Sequence, residues 1–235
     1  MKILAVDTST PTCGVCVADD DHPICELYLT SGQTHSRHLM RAILKVLEAS
    51  DLALEQIGGF AATRGPGSFT GLRIGLSTVK GLAYATGKPL AGISSLEALA
   101  QPVVGEMARR VCAVIDARKN EVYYAIYRRV NGRLAEDTAP CVGPPESIPT
   151  SDERTLFIGD GATLYEAVLR RRHADNAAIA SQHLNVIRVS AVVHLAAYRF
   201  NSGHADPVET VAPLYIRKSD AELAREGRLK QNILT

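Results

Sequence analysis

Apolar runs alternate with short polar breaks along the first hundred residues, and the period of the alternation changes along the way. Segments 2–7, 14–18 and 24–30 read as three strands, with turns at 8–11 and 19–23 rich in Asp, Thr, Ser and Pro. The next stretch switches to helical spacing. Leu39, Met40, Ile43, Leu44, Val46 and Leu47 recur on one side of a helix that Thr34 or Ser36 caps and that ends near Ala49. These six positions span about 160° of a helical wheel, wider than the roughly 100° stripe that covers one sheet. The excess predicts two apolar neighbours, the chain's own sheet and something else. Arg37, His38, Arg41, Lys45 and Glu48 lie opposite.

The run Phe60-Ala61-Ala62 predicts a buried strand that breaks off at Gly65-Pro66-Gly67, because proline fixes its own φ and glycine tolerates a positive one. Ser68 or Thr70 then caps a helix over 70–86. Leu72, Leu76, Val79, Leu82 and Ala83 gather on one side of it, and Arg73, Ser77, Lys80 and Tyr84 on the other. Gly71 and Gly75 sit one turn apart, each destabilising the helix by about 1 kcal/mol relative to Ala. Close approach of another helix is the simplest offset. A strand over 89–93 and a helix over 96–102, capped by Ser94 or Ser95, close this half. A second half starts after Gly105. It has a hairpin of strands 111–116 and 121–129, a loop over 141–152 with one helical turn, a strand over 156–158 and a helix over 162–171. A last helix runs from Ser190 to about 201, and the pattern leaves open whether it returns to the first half. The segment 217–235 is polar and is expected to order only on a partner. No internal repeat stands out. The class is α/β.

Composition narrows the function. The chain has 235 residues, 46% of them apolar, enough for one large or two small cored domains. A net charge of +1 and the lack of tryptophan argue against a dedicated nucleic-acid surface. No run approaches the roughly 18 apolar residues of a membrane span, and the first residues are too few for a secretory signal. Five cysteines fit a reducing cytosol better than a disulfide framework. Cys13 and Cys16 have zinc-like spacing, but on a strand they face opposite ways. His35 and His38 could share a metal, or simply form a surface pair at a helix start.

Strand, glycine-rich turn and helix start, in that order around Gly65 and Gly67, make an anion-ready site, since free N–H groups point at the loop. The alternative is a cramped turn and nothing more. A P-loop is excluded because Leu72-Arg73 follows Gly71 where Lys-Ser/Thr belongs. A dinucleotide fingerprint lacks its acid at 88–92. The segment 92–96 lacks the last glycine of a nucleophile elbow.

The stretches Gly65-Pro66-Gly67-Ser68-Phe69-Thr70-Gly71-Leu72-Arg73-Ile74-Gly75, Lys80-Gly81-Leu82-Ala83 and Ser94-Ser95-Leu96-Glu97-Ala98-Leu99 resemble the signature of the TsaB (YeaZ) family. So do the opening Ile3-Leu4-Ala5-Val6-Asp7-Thr8-Ser9-Thr10 and the late Pro213-Leu214-Tyr215-Ile216-Arg217. The resemblance implies a two-lobe actin-like ATPase (ASKHA) fold, with lobes over 1–103 and 104–216 and a tail over 217–235. It also implies a non-catalytic paralogue of TsaD, which transfers threonylcarbamoyl to the adenosine next to the anticodon of tRNA. Asp7, Gly65, Gly67 and Asp116 occupy degenerate phosphate-loop positions: Pro11 stands in the first loop without its glycine, and Arg118 replaces glycine in the second. ATP or ADP is therefore expected only within a complex. The His-x-x-x-His metal motif of TsaD falls on Ser95 and Leu99, so no metal is expected. The predicted partner face takes His38, Leu39, Ile43 and Leu47 from the first helix. From the second it takes Gly71, Leu72, Gly75, Leu76 and Val79. The implied partners are TsaD, the ATPase TsaE, a second copy of the chain when alone, and tRNA only through the complex, in the cytoplasm and away from membranes. Arg170-Arg171-Arg172-His173 either reaches tRNA phosphates or complements its own helix dipole. An autonomous glycoprotease-like hydrolase and a stand-alone nucleotide-binding module are the competing readings.

Overall fold

The computed structural model describes residues 1–30, 35–103, 108–130 and 133–217. The chain opens as an antiparallel meander of β1 (Lys2–Asp7), β2 (Cys13–Asp19) and β3 (His22–Leu29). Next come α1 (His35–Ala49), β4 (Gly59–Gly65), α2 (Phe69–Thr86), β5 (Leu90–Ser94) and α3 (Ser95–Ala100). β4 and β5 join parallel to β1, which gives the order β3-β2-β1-β4-β5. The second sheet holds β6 (Arg110–Arg118), β7 (Glu121–Val130), β8 (Arg133–Gly143), β9 (Thr155–Ile158) and β10 (Ala177–Ile179). Its order is β10-β9-β6-β7-β8. Counted from its own first strand, each sheet is a meander of three followed by two parallel strands. The halves thus repeat in topology where no repeat exists in residues.

Three expectations change here. β8 replaces part of a predicted loop; it is an edge strand with Glu136, Asp137 and Pro140 and an interrupted register, which hides the usual alternation. The helix expected over 162–171 breaks at Tyr165 into α4 (Asp160–Leu164) and α5 (Glu166–His173). The last helix, α6 (Val189–Asn201), is not capped by Ser190. Its first N–H groups bond instead to β3, Val189 N to the Tyr28 hydroxyl at 3.0 Å and Ser190 N to Glu26 Oε1 at 2.7 Å. Those bonds dock α6 on the first sheet.

The strand alternation divides the core into layers. Leu4, Val6, Val15, Val17, Phe60 and Ala62 face α1 and α2. Ile3, Ala5, Cys16, Ala61 and Ala91 face α3 and α6, and this layer continues into the second sheet through Val111, Ala113 and Ala125. α4 and α5 cover the far side of the second sheet over Cys112, Val114 and Phe157. Cys13 and Cys16 lie on opposite faces of β2, and burial pushes their thiols up to about 11 and about 12.

The same layering corrects the predicted partner face. Leu39, Ile43, Leu47, Leu76 and Val79 are all at most 6% exposed and cover the chain's own sheet, and Leu72 is buried at 1%. A helical wheel measures the width of an apolar stripe but not which sector meets the sheet. Met40 and Leu44 of the same stripe stay outside, at 45% and 61% exposed. Leu76→Ala is accordingly expected to lower unfolding stability by about 2–5 kcal/mol in a denaturant titration. Leu76→Glu and Ile43→Glu are expected to unfold the first lobe, not merely to sever an interface.

His173 is buried, edge-on to Phe157 with both ring nitrogens unpartnered, and burial with nearby Arg110 and Arg172 lowers its pKa below the ordinary 6.5. Below that pH the unfolded chain takes up a proton that the folded chain refuses. This contribution to stability is therefore complete above 6.5 and falls as the pH drops towards the lower folded value. Thermal melts of the wild type and His173→Leu across that window should show a shallower loss in the variant.

Candidate functional site: the interlobe cleft and the outer helix face

β1 and β4 end side by side at Asp7 and Gly65, at the carboxyl edge where open α/β sheets hold ligands. Asp7 is buried and turned inward. Its Oδ1 accepts hydrogen bonds from Ser9 N (3.0 Å), Ser9 Oγ (2.6 Å) and Thr63 Oγ1 (2.6 Å). Burial raises the pKa of this carboxyl, and the same three bonds pull against the rise. Thr8 Oγ1 donates to the Gly71 carbonyl at 2.7 Å, and Ser68 N donates to the Ser9 carbonyl at 2.7 Å. The turn after β1 therefore plugs into the start of α2.

The glycines are shaped for that plug. A Cβ at Gly67 would overlap the Ser9 carbonyl oxygen, one at Gly71 the Thr8 carbonyl oxygen, and one at Gly75 the Thr8 hydroxyl. Gly71 and Gly75 thus admit a turn of the same lobe, not the approaching helix that was expected. Gly65, at φ 118°, admits the backbone of Leu214, whose N–H reaches the Arg64 carbonyl at 2.6 Å. Ser68 caps α2 through Gly71 N at 3.2 Å.

Between the lobes lies a cleft of about 460 Å³. Ser9, Thr10, His35 and Gly67 line it from one side, Asp116, Arg118 and Asp160 from the other. Of the four phosphate-loop candidates it brings together Gly67 and Asp116; Asp7 and Gly65 do not line it. Asp116 Oδ1 accepts from Arg118 N at 2.9 Å. Asp160 Oδ1 accepts from Asp116 N and Gly161 N at 3.0 and 2.8 Å, and burial raises the Asp160 carboxyl. The second loop, like the first, spends its polar groups on itself. His35 Nε2 lies 3.0 Å from the Thr10 carbonyl, so His35 serves the cleft wall. Half-buried His38 lies further along α1.

No local pattern in the sequence shows that the end of the described chain lines this cleft. The Tyr215 ring stacks on Phe69 at 4.7 Å, Arg73 lies 3.8 Å over Phe69 and bonds the Tyr215 hydroxyl, and Arg217 pairs with Glu121 of β7 at 2.9 Å. Only the recurring motif at 213–217 pointed there. Ser95 and Leu99, the positions of the metal motif, are enclosed between the lobes at 0% and 2% exposed. The basic run 170–173 is divided, with Arg170 paired to Glu166 at 2.6 Å and His173 buried.

The outward side of α1 and α2 is different in character. Met40 and Leu44 stand one turn apart beside exposed Arg37, Arg41 and Lys45. On α2, Ser77, Gly81 and Ala85 form an exposed row of small side chains at four-residue spacing. A Cβ at Gly81 would meet nothing within 4 Å. The chain's own packing gives no reason for that glycine.

Residues 30–225 match the family model described as TsaD: tRNA N6-adenosine threonylcarbamoyltransferase. The tRNA threonylcarbamoyladenosine biosynthesis protein TsaB of Escherichia coli is 30% identical over 94% of this chain and 96% of its own length. The chain belongs to the TsaB (YeaZ) family. TsaB of Bacillus subtilis is 29% identical, again over 94% of this chain and 96% of its own. The solved YeaZ from Pseudomonas aeruginosa superposes with a TM-score of 0.79 at 29% identity, covering 91% of this chain and 99% of that one. The ethanolamine utilization protein EutJ from Carboxydothermus hydrogenoformans, 10% identical with a TM-score of 0.50, shares the fold alone. The two-lobe actin-like α/β architecture is thus that of the TsaB family, whose curated members are named as biosynthesis proteins. Among the described residues no helix is long and apolar enough to cross a membrane.

The two kinds of glycine separate in a stability measurement. Gly71→Ala should lower unfolding stability by about 1–3 kcal/mol, because the Thr8 turn must move. Gly81→Ala should raise it by up to about 1 kcal/mol, the ordinary gain at an exposed helix position.

Proposed function

We propose that this chain is a non-catalytic subunit of a tRNA threonylcarbamoyladenosine-forming complex. Its role is to dock on TsaD through the outer face of α1 and α2 and hold that partner in its active state. Docking of this kind acts by differential binding to one state of the partner, not by bond-making. The observation that carries the reading is the exposed Met40–Leu44 pair on the same side of the sheet as the open Ser77–Gly81–Ala85 row. A helix glycine that costs about 1 kcal/mol and touches nothing in its own chain is accounted for when a partner backbone lies on it. Arg37, Arg41 and Lys45 along the rim favour carboxylates on the opposing surface and speed the encounter more than they tighten it.

The interlocked loops support a role without chemistry of its own. Asp7 is committed to Ser9 and Thr63, and Asp116 to the turn at Arg118. ATP or ADP enters the cleft only with the partner in place. TsaE is the third member, tRNA is reached through the complex, a second copy covers the same helix face when the chain is alone, and the setting is the cytoplasm.

Co-purification with TsaD tests this, paired with a tRNA modification assay run with and without the chain. Leu44→Glu and Gly81→Gln should each weaken the complex by about 2 kcal/mol or more, roughly thirtyfold, while both variants melt as cooperatively as the wild type. Wild-type affinity in both would refute the assignment.

A further inference from the structure

Residues 206–217 run back along the first lobe before they cross to the second. Asp206 N donates to the Leu90 carbonyl at 2.8 Å, and Lys80 Nζ on α2 holds the Glu209 and Val211 carbonyls at 3.2 and 3.0 Å. Leu214 N reaches the Arg64 carbonyl at 2.6 Å. Ile216 then packs against the core between the lobes, and Arg217 pairs with Glu121 of β7 at 2.9 Å. The segment is a strap, fastened at one end to α2 and at the other to the second sheet.

The strap crosses the outer helix face. Phe69, Arg73, Ser77, Gly81 and Ala85 form one ridge of α2 at four-residue spacing, the kind of ridge along which a neighbouring helix packs. Ser77, Gly81 and Ala85 are open. Tyr215 sits on the other end of the ridge. Its ring centroid is 4.7 Å from that of Phe69, and its hydroxyl accepts from Arg73 Nε at 2.8 Å. The Arg73 guanidinium in turn lies 3.8 Å over Phe69. Both ends of this contact can be reached from outside, since Tyr215 is 42% exposed and Arg73 is exposed as well. A partner laid along the open part of the ridge runs into the Tyr215 ring. The carboxylates that the basic rim favours can take the Arg73 guanidinium by two parallel bonds, where Tyr215 offers one.

We propose that residues 213–217 are a latch, in which Tyr215 occupies one end of the docking ridge until a carboxylate of the partner displaces it from Arg73. Displacement carries away one wall of the cleft, because Leu214, Tyr215, Ile216 and Arg217 line it, and so links docking on one face to access on another. The inference rests on the docking role. It also sets a cost on docking: affinity is reduced by the fraction of free chains whose latch is open.

The test loosens the strap from its far end. Glu121→Gln and Arg217→Gln each break the pair on β7 and leave the ridge of α2 untouched. Hydrogen exchange at the Leu214 amide of the isolated full chain should be at least about tenfold faster in either variant. Affinity for TsaD, measured by titration calorimetry, should rise by about the same factor, since both report the open fraction. Glu166→Gln, on α5, should move neither. Should a melt show that one variant has unfolded, the other decides. Faster exchange with unchanged or weaker affinity, or unaltered exchange in both variants, would overturn the latch and leave the docking role standing. A wild type that does not bind TsaD would remove the docking role and the latch with it.

Discussion

The contact on which the rest depends is the seating of Thr8 and Ser9 in the glycine row of Gly67, Gly71 and Gly75. Two hydrogen bonds fasten it, Thr8 Oγ1 to the Gly71 carbonyl and Ser68 N to the Ser9 carbonyl. Three more tie Asp7 to Ser9 and Thr63 beneath it. In an open α/β sheet the carboxyl edge is where a ligand would enter, and here backbone and hydroxyl groups of the chain itself occupy it. A Cβ on any of these glycines would push the turn out, so this sequence motif is required for the closed arrangement.

With polar groups turned inward at both loops, what the first lobe offers outside is shape and apolar surface. α1 and α2 seal the sheet with Leu39, Ile43, Leu47, Leu76 and Val79, leaving Met40, Leu44 and the small row through Gly81 for solvent or a partner. The division of labour is by helix sector. Inner positions set stability, and outer ones are free to set association. The strap through Leu214, Tyr215 and Arg217 then bridges α2 and β7, so that the cleft wall on one lobe is coupled to the other.

Much of this was legible in the residues. Short apolar runs between polar turns mark the strands of the first sheet, Ser68 or Thr70 the start of α2, and the motifs around Gly65–Gly75 the family. Other features had no local signal. The stripe on α1 is legible at its full width, but packing chooses the sector that faces the sheet, burying Leu39, Ile43 and Leu47 and leaving Leu44 outside. Gly71 and Gly75 were correctly marked as sites of close approach, with the wrong visitor, because Thr8 comes from 63 residues away. β8 escaped because its edge position tolerates Glu136, Asp137 and Pro140. The doubled topology escaped because it is a property of strand order, not of residues.

The most direct test of this account is calorimetric titration of the isolated chain with ATP and magnesium. Loops whose polar groups are spent within their own lobe predict no one-to-one binding tighter than about millimolar, with heat appearing only when TsaD is present. Micromolar, one-to-one binding by the chain alone would mean that the Thr8–Ser9 turn yields to a phosphate, and would contradict the account.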